Sequence, residues 1–198
     1  MRNVATEPKL CALLERYDTA GGVLDYAFLE PHYGGPPHAI HRAGALAGMA
    51  EIDRRLEQRA VDMASEKYPV EMFFRVRWDE AKLTGAAVSF STFWGTDDVE
   101  PKPIGERAWS IPNVDGYKTA FFHPPYGLQG EASEKAELFT GINRYVLGEE
   151  PERAEIFSWS TDWSNYFEAG HEWWGAFCWT IRPADSQRIV MVAASSTD

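Results

Sequence analysis

Apolar residues recur at steps of four and three from Ala45 through Met49, Ile52, Leu56 and Ala60 to Met63. A single buried helical stripe gives this spacing, because an α-helix completes a turn every 3.6 residues. The spacing predicts a helix over roughly 38–67, with Glu51, Arg54, Arg55, Glu57 and Arg59 on its solvated side. Gly44 and Gly48 stand four apart in this stretch. Small residues so placed allow close approach to a neighbouring element, and they equally allow the regular helix to begin nearer Met49. A second stripe of Leu138, Phe139, Ile142, Tyr145 and Val146 predicts a helix over 131–147, capped by Gly148. A shorter one carries Leu10, Leu13, Leu14 and Tyr17 on one face. It is capped by Thr6, has Pro8 in its first turn and stops at Gly21 and Gly22.

Period two replaces period 3.6 elsewhere. Val70, Met72, Phe74 and Val76 alternate with Glu71, Phe73, Arg75 and Arg77, the pattern of a strand with one buried face. Residues 87–94 repeat it, with Val88, Phe90 and Trp94 opposite Ser89 and Ser91, and residues 82–85 would join the two as a hairpin. Residues 23–29, 107–111, 116–122, 154–159, 175–182 and 188–194 are the other predicted strands. Pro- and Gly-rich loops separate these segments at 31–37 and 123–127, an acidic loop spans 97–105, and turns fall at 112–116 and 183–187. The expected fold is α+β: a single domain over residues 1–198, with a mainly antiparallel sheet of about six strands packed with two long helices.

Composition narrows the function classes. The 198 residues suffice for one buried core, and 44% hydrophobic with 25% charged is ordinary for a globular chain. A net charge of −11 argues against nucleic-acid binding, since phosphates require clustered cations. Cys11 and Cys178 form no metal-binding or disulfide pattern. No secretory signal and no apolar run of about 18 residues is visible, so no membrane association and a cytoplasmic location are expected. Phosphate-cradling glycine loops and the GxSxG elbow are absent, and no cofactor is implied.

The aromatic excess is local. Five of the eight tryptophans fall within residues 157–179, interleaved with polar groups. Indole offers a broad apolar face and one N–H donor, a combination suited to pockets and interfaces. Asp162, Trp163, Asn165, Glu168, His171, Glu172, Trp173 and Trp174 are therefore the candidate partner- or ligand-binding residues. Asp162 with His171 and Glu172 could form an acid–base set. The competing reading is that Phe157, Trp159, Phe177 and Trp179 simply fill the core, as patterned aromatics usually do. Residues 131–172 carry ten acidic against three basic residues, −7 of the chain's −11.

His32, His38 and His41 lie within ten residues, with Glu30 close by. They match no established metal-ligand spacing, and no metal site is assigned. The leading expectation is an acidic, non-enzymatic interaction module. It would engage a basic protein partner through residues 157–174, as an inhibitor or immunity-type protein does. The alternative is a small-molecule-binding protein or hydrolase-like enzyme with an aromatic-lined pocket around 159–174. A flat acidic–aromatic patch favours the first and a pocket the second; oligomeric state stays open.

Overall fold

The computed structural model describes residues 2–3, 7–31, 34–95, 116–171 and 174–195. Its centre is a six-stranded sheet in the order β1-β2-β6-β5-β4-β3, with every neighbouring pair antiparallel. The strands are β1 (Arg2–Asn3), β2 (Leu24–Glu30), β3 (Gly85–Val88), β4 (Glu155–Trp159), β5 (Ala176–Arg182) and β6 (Ile189–Ser195). β3, β4, β5 and β6 are sheet neighbours in chain order, and β2 closes onto β6 from the start of the chain. The expected α+β class with a mainly antiparallel sheet and two long helices is the observed one.

Helices cover both faces. Alternation along β6 sends Val190, Val192 and Ala194 to one apolar cluster and Met191 and Ala193 to another. The strand reads as a continuous apolar run because it is buried on both sides. The first face takes α1 (Pro8–Thr19), α3 (Phe90–Trp94), α4 (Gly116–Phe122) and α5 (Ala132–Val146). The second takes α2 (Pro37–Met63), whose Ala45, Met49 and Ile52 pack beside Phe157, Trp159 and Cys178. The short α6 (Glu168–His171) follows a 3-10 turn and lies against β5 and β6.

Gly44 and Gly48 lie inside α2, which begins at Pro37 rather than near Met49. A Cβ at Gly44 would stand 2.6 Å from Ile189 Cγ2, and one at Gly48 would collide with Met191. The paired glycines thus seat the helix directly on β6. The predicted stripe is buried at Ala45, Met49, Ile52 and Ala60, but Met63, in the last turn, is exposed. Helix α5 opens with a reciprocal capping box between Glu131 and Glu134, and Gly148 follows it at φ 77°.

Three strand expectations are corrected. Residues 70–76 pair with no strand among the described residues. They form a short 3-10 turn and then an extended segment lying along α2, tied by Val76 N–H to Asp53 Oδ1 (3.2 Å) and by Arg75 to Glu57 (2.8 Å). Only Val76 of the apolar set is buried, so the proposed hairpin with residues 87–94 does not exist. Within 87–94 the strand ends at Val88, because the Ser89 hydroxyl caps α3 by accepting from Thr92 N–H (3.1 Å). Residues 116–122 are helix α4, with Tyr117, Ala120 and Phe121 buried at helical spacing. The N-cap position of α1 falls on Glu7 rather than Thr6 and carries no side-chain cap bond, and the 97–105 loop and the 107–111 strand lie outside the described residues.

Candidate functional site

Two chain segments on the α2 side of the sheet are stitched together and leave an open cleft of about 490 Å³ between them. One wall is residues 77–82, held at its ends by buried Val76 and Leu83. The other is residues 161–171, pinned by buried Trp163 and Phe167. Backbone bonds join the walls: Asp79 N–H donates to Trp163 O (2.7 Å), Asn165 N–H donates to Arg77 O (3.1 Å), and Trp78 bridges to Ser164.

Asn165 adds its side chain to this seam. Its Oδ1 accepts from Arg77 N–H (2.7 Å) and its Nδ2 donates to Arg75 O (3.1 Å). Both ends of the amide are therefore occupied in positioning the wall. Ser160 does the same at the far end, accepting from Thr84 N–H and donating to Lys82 O. Asp79 caps the 3-10 turn Glu80–Lys82 through Ala81 N–H (3.0 Å).

Of the residues singled out from the sequence, Asp162, Trp163, Asn165, Glu168 and His171 line the cleft. Trp174 does not. It packs in the cluster on the opposite face, donating its indole N–H to the His123 carbonyl (2.8 Å). Glu172 and Trp173 lie outside the described residues. Arg77, Trp78, Asp79 and Lys82 complete the lining. The sequence pattern did not single them out as site residues, because alternation over 70–77 suggests a paired strand rather than the wall of a cleft.

The acid–base set is not assembled among the described residues. His171 Nε2 is bonded to Thr161 Oγ1 (2.7 Å), and Asp162 does not reach it. Arg77, Lys82, Asp162 and Glu168 each lack an ion-pair partner among the described residues. Trp163 is 1% exposed, yet its indole N–H has no hydrogen-bond partner among them. Such orphaned buried donors are rare in folded proteins.

The histidine loop resolves differently from a metal centre. His41 is fully buried, and both its nitrogens are engaged: Nδ1 with Thr180 Oγ1 (2.9 Å) and Nε2 with Glu155 Oε2 (3.2 Å). Trp159 Nε1–H donates to Thr180 Oγ1 (2.8 Å), which leaves the Thr180 hydrogen for His41 Nδ1. Arg182 holds the same Glu155 oxygen at 2.7 Å. A neutral imidazole protonated on Nε2 satisfies the whole row. Burial holds the His41 pKa below the ordinary imidazole value, against the opposing pull of Glu155. Thr180 is also fully buried, so the hydroxyl and imidazole are closed to solvent while Glu155 stays partly exposed, and the row anchors α2 to the sheet. His38 stands against Phe157 and Trp159, and His32 lies outside the described residues. No group of three His, Cys, Asp or Glu placed to hold a metal ion occurs among the described residues. Burial pushes the Cys178 thiol far above its ordinary pKa, as befits a core residue.

The acidic excess of 131–172 is divided by the sheet. Glu131, Glu134 and Glu137 sit on α5, on the face opposite the cleft, and Glu137 pairs with Arg16 at 3.0 Å. Asp162 and Glu168 remain at the cleft. No helix among the described residues is long and apolar enough to cross a membrane. No protein-family model, curated protein or solved structure matches the chain.

Proposed function

We propose that the chain is a binding module whose recognition site is the cleft between residues 77–82 and 161–171, and that it takes a small, charged ligand. One observation carries the reading: side chains of both signs line a single cleft without pairing to one another. Charges left unpaired in a concave site are available to orient a ligand. The half-buried Trp78 supplies apolar surface beside them.

The rival reading, a patch for a basic protein, draws less support. The aromatics that would serve as its hot spots are mostly interior: Phe157, Trp159, Trp163, Phe167 and Trp174 are all buried. Its acidic residues are split between two faces. A thermal-shift screen of small polar compounds decides between the two. Compounds that stabilise the native chain and lose that effect in both Arg77→Gln and Asp162→Asn support the cleft. No such compound, together with a stoichiometric basic protein released by charge reversal at Glu131, Glu134 and Glu137, would overturn it.

A further inference from the structure

We infer that the ligand of this cleft is a small zwitterion, an ammonium carboxylate of amino-acid or dipeptide size; the inference rests on the cleft being the recognition site. The two walls differ in the charge they offer. Residues 77–82 present Arg77 and Lys82, while the Asp79 carboxylate on that wall is occupied in capping. Residues 161–171 present Asp162 and Glu168. The walls are joined by backbone and amide bonds, yet no cation of the first lies within 4.0 Å of a carboxylate of the second.

Proximity in sequence to paired residues makes the omission informative. Arg75, two positions before Arg77, reaches Glu57 at 2.8 Å, and Glu80, between the two free cations, is within 3.9 Å of Arg42. The same segment therefore forms ion pairs outside the cleft and leaves Arg77 and Lys82 without an ion-pair partner among the described residues. A lone anion placed on them would also face Asp162 and Glu168, and a lone cation would face the reverse conflict. A zwitterion meets both walls. Its carboxylate suits the planar fork of Arg77, and its ammonium supplies three donors to carboxylate oxygens. The half-buried Trp78 offers apolar surface to the carbon skeleton between the charges. At about 490 Å³ the cleft falls in the size range of small-ligand sites.

The test is isothermal titration of the full chain at low salt with alanylphenylalanine, its N-acetyl form, its C-terminal amide, and free phenylalanine. The dipeptide should bind about tenfold more tightly than either capped form, since each cap removes one charge contact. Arg77→Gln should erase the preference over the amide, and Asp162→Asn the preference over the N-acetyl form. Circular dichroism and denaturation midpoints confirm that both variants fold. Free phenylalanine against dipeptide decides the size. Capped forms binding as tightly as the parent would overturn the zwitterion while leaving the cleft as a recognition site. No binding of any of the four would also overturn it, and the compound screen above then decides the cleft separately.

Discussion

His41 and Asn165 illustrate how polar side chains organise this molecule from within. His41 is held below its ordinary pKa by burial, while Glu155, Arg182 and Thr180 set its surroundings. An imidazole whose folded pKa is depressed binds fewer protons when folded than when unfolded. Its contribution to stability is complete above the ordinary value of about 6.5 and is lost as pH falls through the lowered folded value. The urea midpoint should therefore fall between about pH 8 and about pH 5, and His41→Gln should flatten that dependence. Identical pH slopes for the two proteins would contradict the assignment. Asn165→Ala removes two bonds across the cleft seam and should cost about 1–3 kcal/mol of stability by chemical denaturation. It should also weaken ligand binding without removing any charge. At this scale the sequence was a partial guide. Residue types marked the segment 162–171, but no pattern tells an amide that contacts a ligand from one that braces a wall. Trp163 and Trp174 look alike in the sequence and are buried on opposite faces of the sheet.

Elements whose pattern depends on one partner were the legible ones. The stripes of α2 and α5 and the apolar runs of β4, β5 and β6 each reflect burial against a continuous surface. The segment 70–76 failed because alternation signals an extended chain, and an extended chain need not join a ladder. Here it lies along α2, held by Asp53 and Glu57. Helix α4 was mistaken for a strand because aromatic residues crowd a seven-residue helix buried on several sides. Of the two readings that the Gly44–Gly48 spacing allows, close packing holds and a helix start near Met49 does not, and the first yields a sharp expectation. A side chain at Gly48 meets Met191, including its Cβ at 2.6 Å. Gly48→Val should destabilise the fold by about 1–3 kcal/mol through overpacking, measured as a lower denaturation midpoint at unchanged slope. Unchanged stability would mean that α2 does not ride directly on β6.

Across the whole molecule, the sheet separates two environments. One face carries α1, α4 and α5 with the acidic outer surface of α5; the other carries α2 and the cleft. Net charge alone suggested one acidic surface, because linear sequence cannot report which residues a buried sheet keeps apart. Since the cleft charges face solvent, ligand affinity should weaken as salt rises, screening acting over about 8 Å at physiological ionic strength. The division also supplies an internal control for the central claim. In a ¹⁵N–¹H spectrum, the indole N–H signals of Trp78 and Trp163 report on the cleft, while those of Trp174 and Trp179 report on the opposite face. Titration with a compound found by thermal shift should move the Trp78 and Trp163 signals and leave Trp174 and Trp179 in place. Movement confined to Trp174 and Trp179 would place recognition on the other face and contradict the account.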